Sequence, residues 1–336
     1  MDISKIIETK VFSEYWRAQT PLTYFGESKF RNVKQRGSEL KYIKGAEQAP
    51  VVMSLTSNDA NSIGLSYGEF ELIKEKIPLF KNHYTVDEDL IELLLDIDAN
   101  ATDAIKSVVA KIFSRADKLR KNAALTREVL RMQALTTGVA SMKNNGNAFT
   151  VDYKIPSAHK VTPTVKWSVT STADPISNIE DWQLLAKNDA GESAVEILMN
   201  SKTLGDLRKV ETIRTGYFAN SNAVGLPTSK QVKQYLMDSL DSEIFIDDDQ
   251  YKDIDGTVKK MVPDGTVVLM PTGYLGDGVF GTTAEEARLP ETEVVDMGVA
   301  LKAWNKDDPV ASYLKASQRF LPSFERANGI IIASVL

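Results

Sequence analysis

The stretch from Thr102 to Gly138 constrains the fold more than any other part of the sequence. It contains no proline, its only glycine is its last residue, and apolar or small residues recur in it at alternating spacings of four and three. These residues are Ile105, Val109, Ile112, Ala116, Leu119, Ala123, Thr126 and Leu130. The spacing predicts one helix with a single apolar stripe, and Gly138 is a natural end for it. At 1.5 Å per residue the helix would be about 50 Å long. An average helix has only about a dozen residues. It is therefore expected to be a scaffold for the rest of the fold.

The charged residues are unevenly distributed. The chain of 336 residues has a net charge of −6, which argues against a general nucleic-acid-binding protein. Residues 106–143 contain nine Lys or Arg against Asp117 and Glu128, and residues 238–255 contain eight acidic residues against Lys252. Each run could be a solvated face. Alternatively, the two could be complementary surfaces for self-association, or the basic run could meet DNA.

Composition excludes several kinds of site. The chain has no cysteine and two histidines, His83 and His159, which are far apart in sequence. Thiol chemistry is therefore absent, and a transition-metal site is not expected. No apolar run approaches the roughly 20 residues that span a bilayer, and the first residues do not resemble a signal peptide. We expect a soluble, cytoplasmic protein that makes no contact with membranes.

Two segments, one rich in glycine and one acidic, resemble ligand-binding motifs only weakly. Gly276–Gly281 matches the dinucleotide fingerprint, but Pro290 limits the following helix and too little chain remains for a nucleotide-binding sheet. It is expected to be a flexible glycine loop. Asp247–Gly256 resembles a calcium loop, but Val262 stands where the bidentate carboxylate belongs, so an acidic turn is expected. The sequence therefore predicts no catalytic, cofactor-binding or metal-binding residues. The four tryptophans, Trp16, Trp167, Trp182 and Trp304, are expected to be core anchors.

The remaining chain falls into distinct segments. Residues 1–37 are broken by proline and glycine and resemble an arm, and residues 38–72 resemble a long two-stranded excursion without a core of its own. Asn145-Gly146 marks a hairpin after the long helix. Residues 176–290 resemble a separate α/β unit, and the tail from Glu293 is expected to form strands that return to the long helix. Within the α/β unit, the pattern predicts a helix that starts near Asp174-Pro175 and runs through 178–188, and further helices at 202–214 and 231–240. It predicts strands at 195–199, 244–246 and 266–270.

The order of these segments resembles the capsid fold shared by tailed phages, herpesviruses and encapsulins, which is named after phage Hong Kong 97. Local motifs are similar to those of the lambda-type major capsid proteins, the phage protein E family. They are Leu135–Gly138, Asn145–Phe149 with Val151–Tyr153, Trp167-Ser168, Asp174-Pro175, Asp253–Thr257, Val262–Leu269 and Arg319–Pro322 with Ile330–Leu336. The similarity covers most of the chain from about residue 10 and rests on the shared order and spacing of the motifs.

The resemblance implies an α+β fold of defined parts. An N-terminal arm (1–37) reaches a neighbour and an extended loop (38–72) lies across the adjacent subunit. A peripheral domain (73–175 and 291–336) contains the spine helix 102–138, and an axial domain (176–290) surrounds capsomer centres. The expected contacts between subunits are Arg31, Lys34, Arg36, Lys41, Tyr42, Lys44, Asp248, Asp249 and Asp253.

The implied function is that of a structural protein of the virion and not of an enzyme. The subunits would assemble in the host cytoplasm, as hexamers and pentamers, into an icosahedral shell around double-stranded DNA. Implied partners are a separate scaffold protein, a portal protein and, by non-specific contact, the packaged DNA. Whether a decoration protein also binds stays open. The alternatives are an encapsulin-type nanocompartment, a phage tail or accessory protein, and a cytosolic nucleotide-binding enzyme that uses the glycine-rich segment.

Overall fold

A computed structural model describes residues 8–44, 71–86, 92, 102–144, 146–219, 225–308 and 310–336 of the chain. The described helices are α1 Thr9–Ala18, α2 Thr102–Thr137, α3 Pro175–Ala190, α4 Ser201–Leu207, α5 Glu211–Phe218, α6 Ser229–Leu240 and α7 Ala284–Arg288. The first strands are β1 Phe30–Lys34, β2 Glu39–Lys44, β3 Glu71–Lys76, β4 Leu79–Val86, β5 Val139–Asn144, β6 Asn147–Asp152, β7 Lys160–Val161 and β8 Glu196–Met199. The later strands are β9 Glu243–Ile246, β10 Gln250–Lys252, β11 Val258–Lys260, β12 Thr266–Met270, β13 Gly276–Gly281, β14 Glu293–Val295, β15 Val299–Asp307, β16 Val310–Pro322 and β17 Ile331–Ser334. None of these helices is long and apolar enough to cross a bilayer.

The long helix α2 is 36 residues long and begins and ends where its sequence pattern predicts. It stops at Gly138, whose φ of 75° lies in the left-handed region and whose N–H donates to the carbonyl of Ala134. The chain then enters the predicted hairpin, in which β5 pairs antiparallel with β6. A side chain at position 138 would also be crowded, because a Cβ there would lie 2.7 Å from Cδ1 of Ile155.

The chain divides into two compact units. Unit 1 comprises Met1–Lys41, Lys74–Glu128 and Asp277–Ser323, and unit 2 comprises Tyr42–Ile73, Val129–Gly276 and Phe324–Leu336. The predicted axial segment shares residues 176–276 with unit 2. The peripheral and axial roles of the segments stay predictions.

Unit 1 is built on a six-stranded sheet in the order β1-β13-β16-β15-β14, with β4 also paired to β16. Helix α1 and the first part of α2 cover one face of this sheet. Their shared core contains Phe12, Trp16, Val86, Ile112, Ala116, Leu119, Ala123, Val295, Val299, Leu301, Ala303, Leu314 and Ala316. The stripe on α2 thus meets the strands of the tail, as the sequence predicts for the segment from Glu293. Within the predicted arm, α1 packs on the core of its own unit.

Unit 2 is built on a five-stranded sheet in the order β7-β17-β12-β8-β9. Its core includes apolar residues of α3, α4, α5 and α6. Asp174 caps the N-terminus of α3, just before Pro175. In this core Trp167 stacks on Trp182 with a centroid distance of 6.1 Å, and its Nε1 donates to Asn178 at 3.2 Å.

The single helix predicted for 202–214 is wrong, because the structure has two helices, α4 and α5, with a break at Arg208–Val210. Leu207, Val210 and Ile213 are all fully buried. In one continuous helix these positions would drift around the axis by about 60° per step. The turn keeps all three on the core side, and the N–H of Glu211 donates to the carbonyl of Thr170 instead of continuing the helix.

Two further expectations are corrected. Gly276–Gly281 is not a flexible loop but strand β13, paired with β16 from Gly278 to Gly281. Trp304 is not a core anchor, because 36% of it is exposed on the sheet. Each error concerns a segment whose surroundings come from a distant part of the chain. The end of the tail forms β17, which inserts between β7 and β12 of unit 2.

Candidate assembly surfaces

The predicted contact residues of the arm lie on and after strand β1. Arg31 forms an ion pair with Asp277 at 3.1 Å, and Lys34 forms one with Glu286 at 2.7 Å. Both pairs join β1 to the segment around β13 within unit 1. Exposed pairs of this kind contribute little to stability, so these side chains can exchange partners at low cost. Arg36 is exposed in the turn that precedes β2.

The predicted contact residues of the extended loop alternate along β2. Lys41 is exposed and lies 3.4 Å from Glu39. Tyr42 and Lys44 are buried, and the Lys44 ammonium donates to the carbonyl of Lys154 at 2.5 Å. Within the subunit these two side chains therefore hold β2 in place. Residues 45–70 of the loop, which include the second of its two predicted strands, lie outside the described residues.

The predicted acidic contacts take part in the structure of unit 2. Asp248 accepts hydrogen bonds from the N–H of Ser201 at 2.8 Å and from its hydroxyl, at the start of α4. Asp253 pairs with Lys259, and the hydrogen bond from Lys259 lowers the pKa of the Asp253 carboxyl. Burial is the main cause of the raised pKa of neighbouring Asp247. Asp249 is exposed. That any of the nine residues contacts another subunit stays a prediction.

The basic run on α2 separates into buried and exposed members. Arg120, Arg127 and Arg131 are buried, so the basic run as a whole is not one solvated face. Arg127 donates to Gln318 at 3.0 Å and lies over the Phe280 ring, because strands of the sheet pack across this part of α2. The exposed cations lie elsewhere on the helix. Among the side chains of α2 that the structure describes, they are Lys111, Lys118 and Lys121.

Two exposed apolar features were not predicted from the sequence. Trp304 and Tyr313 stack at 5.0 Å on neighbouring strands of unit 1, and the ammonium of Lys315 lies 5.6 Å from the centroid of the Trp304 ring. At the end of the β10–β11 hairpin, Ile254 and Val258 are 60% and 66% exposed. The sequence signal for the first feature is alternation along β15 and β16, which puts Ala303 inside and Trp304 outside.

The glycine-rich segment fits close packing and not a nucleotide. A Cβ at Gly281 would lie 2.9 Å from the carbonyl oxygen of Gly37 and 3.0 Å from Ile77, so the missing side chain is what lets β13 approach these residues. Among the described residues, no group of three or more His, Asp or Glu side chains could hold a metal ion.

The chain is similar to known proteins over nearly its full length. It matches the family described as phage major capsid protein E over residues 10–335. No curated protein sequence shows significant similarity to it. Among solved structures it resembles a capsid-protein candidate from a prophage of Escherichia coli CFT073, with a TM-score of 0.64 and 17% identity over 97% of this chain and 98% of that one.

Two further structures share this fold. A phage-related protein from Bordetella bronchiseptica RB50 has a TM-score of 0.56 and 11% identity, over 96% of this chain and 95% of that one. The capsid subunit of cyanophage A-1(L) has a TM-score of 0.52 and 12% identity, over 95% of this chain and 97% of that one. At these identities the likeness establishes the fold, and the family match establishes the family. The chain therefore belongs to the phage major capsid protein E family and is a major capsid protein of a tailed phage.

Proposed function

We propose that the subunits assemble as hexamers and pentamers into an icosahedral shell that encloses double-stranded DNA. The observation that carries this proposal is the family match over residues 10–335, supported by a capsid fold that spans 95% of the chain in the cyanophage comparison. No catalytic step is part of the proposal. The shell would form in the host cytoplasm and become part of the virion.

The segments would divide the work of assembly. The axial domain (176–290), most of which lies in unit 2, would surround the capsomer centres. The peripheral domain (73–175 and 291–336), with its spine helix, would join neighbouring capsomers. Residues of the arm and of the extended loop would reach adjacent subunits. Each subunit then touches several others, so individually weak contacts add up through multivalency. Exposed ion pairs such as Arg31–Asp277 suit contacts that must rearrange during assembly.

Partners other than the shell subunits follow from the same function. A separate scaffold protein would guide curvature, and a portal protein would occupy one vertex. Where the phage encodes a decoration protein, that protein would bind the outer surface of the shell. Packaged DNA would be held by non-specific contacts, which suits a chain with a net charge of −6 because strong adhesion to the wall would hinder release.

Negative-stain electron microscopy tests the assembly proposal. The purified protein is imaged after expression alone and after co-expression with the scaffold gene that adjoins it. Closed shells, or rings with five-fold and six-fold symmetry, are the expected result. Discrete small oligomers in both samples would contradict the proposal.

A loop replacement tests the role of the extended loop. Residues 46–68 are replaced by a short Gly-Ser linker, while β2 and β3, which pair with each other, are kept. The variant is expected to give the wild-type circular dichroism spectrum and to form no shells, because the loop's contacts are made between subunits. Wild-type shells from the variant would rule out that role.

A further inference from the structure

The solvent face of the first part of α2 carries a line of cations beside an open groove. Lys111 and Lys118 are exposed, and Arg115 lies half-buried between them. The groove has a volume of about 390 Å³, and these three residues line it. The rest of the groove is lined by three small side chains, Ser107, Ala110 and Ser114.

The two lysines of this groove have no counter-charge among the described residues. Lys121, on the same helix, forms an ion pair with Asp117 at 2.7 Å, whereas neither Lys111 nor Lys118 has an ion pair in the part of the chain that is described. One N–H group of Arg115 donates to the carbonyl of Thr85 at 2.6 Å. A guanidinium has five N–H donors, so others can still bind an anion. The groove therefore concentrates positive potential on a subunit that is acidic as a whole.

The chemistry of the groove favours a polyanion over a protein surface. Protein interfaces are anchored by buried aromatic and large apolar side chains, and the small lining residues offer none. Small residues let a chain of phosphates approach the helix closely. Along the axis Lys111, Arg115 and Lys118 are separated by rises of about 6 Å and 4.5 Å, within reach of the phosphates of one DNA strand, which rise by about 3.4 Å each.

We infer that this groove, with Lys111, Arg115 and Lys118 along it, is the surface through which the subunit contacts the phosphate backbone of double-stranded DNA. The inference rests on the proposed function, since it takes the shell to enclose DNA, and it places this face of α2 on the inner wall. Contacts with phosphates do not distinguish one base sequence from another. Binding is therefore independent of sequence and falls steeply with salt.

The test measures DNA affinity with the unassembled full-length protein. Fluorescence anisotropy of a short labelled duplex is recorded over a series of salt concentrations at which light scattering shows no shells. The double variant Lys111→Gln, Lys118→Gln is compared with wild type. The slope of log affinity against log salt concentration is expected to be less negative by about 1.8 in this variant, because each lost phosphate contact removes about 0.9 from the slope. A second variant, Ser114→Glu, puts a carboxylate into the groove and should weaken binding without removing a cation.

The matched control removes two lysines from helices of unit 2. Lys187 and Lys230 are exposed on α3 and α6, and the variant Lys187→Gln, Lys230→Gln has the same net charge as the groove variant. The control should keep the wild-type slope. Equal slopes in both variants, or no binding by wild type at low salt, would overturn the inference.

Electron microscopy of the same variants separates this inference from the proposed function. The groove variant should still form shells with the scaffold protein. Loss of shells with an unchanged DNA slope would overturn the inference in favour of a contact between proteins. A wild-type protein that forms no shells would count against the proposed function instead, whatever its affinity for DNA.

Discussion

At the residue scale, Glu285 shows how a buried charge is held in unit 1. Its carboxylate is buried and accepts from Lys81 at 2.7 Å and from Lys315 at 2.9 Å. Burial by itself would raise the pKa of Glu285, but the hydrogen bonds from the two lysines outweigh it and lower that pKa to about 2. The residue thus ties the short helix α7 to β4 and β16.

Replacing this carboxylate should change how stability depends on pH. The folded pKa of Glu285 lies below its ordinary value of 4.5, so its stabilisation is complete above that value and is lost as the pH falls toward about 2. Glu285→Gln should lower the unfolding free energy by about 2 kcal/mol near neutral pH, and the difference from wild type should shrink in acid. Urea denaturation at a series of pH values measures it. A difference that stays constant with pH would contradict the assignment, and Glu286→Gln on the same helix is the control.

Arg120 and Lys118 are near neighbours on α2 that should respond differently to charge reversal. Arg120 is buried and donates to Asp117 at 3.0 Å and to the carbonyl of Thr20 at 3.0 Å, whereas Lys118 is exposed. Arg120→Glu should lower the unfolding free energy by about 3 kcal/mol, because it places two carboxylates together in a buried site. Lys118→Glu should change it by less than about 0.5 kcal/mol. Chemical denaturation of both variants decides this, and equal effects would show that the arginine site is not buried.

Among the helices, α2 shows that the interior and the C-terminal end of one element depend on different kinds of information. Its interior follows from a local repeat of apolar residues, which is present in the sequence itself. Its C-terminal end follows from Gly138, since a positive φ is costly for other residues. Farther along the chain, α4 and α5 break where local pattern alone predicts continuity, because Val210 is drawn into the core of unit 2.

Two glycine substitutions test the role of conformation at helix ends. Gly138→Ala should lower the unfolding free energy by about 1–2 kcal/mol, since alanine disfavours the left-handed region and its Cβ would press on Ile155. Gly205→Ala, inside α4 with nothing within 4 Å of the added Cβ, should raise it by up to about 1 kcal/mol. Thermal unfolding of both variants gives the comparison. If both variants were destabilised to the same extent, the positive φ of Gly138 would not be the cause of the loss in stability.

At the scale of the whole molecule, chain order and spatial order differ most at the tail. Strand β17 pairs antiparallel with β12 and parallel with β7. Ile331 and Ala333 on this strand, and Val335 just after it, are fully buried. The sheet of unit 2 is therefore completed by residues that follow the whole of unit 1 along the chain. The pairing of β17 must therefore offset the conformational entropy that is lost when a loop of this length is closed.

Truncation before Ile330 should remove the cooperative folding of unit 2. The missing strand would expose the facing edges of β7 and β12 and leave a cavity in the core. We expect loss of the near-ultraviolet circular dichroism signal, to which the buried Trp167 and Trp182 contribute, together with aggregation. Ser334→Ala, at an exposed position of the same strand, is the control. A truncated protein with the wild-type urea midpoint would show that β17 is dispensable.

The long helix, its end at Gly138, the following hairpin and most strands can be predicted from the sequence alone, because each depends on a local repeat or a turn residue. The family can be recognised from the sequence too, because the order and spacing of its motifs are kept in this chain. Three further features depend on tertiary packing: the burial of Arg120, Arg127 and Arg131, the place of β17 in the sheet of unit 2, and the groove lined by Lys111 and Lys118. Burial of a side chain depends on which distant segment packs over it, and a linear pattern does not contain that information.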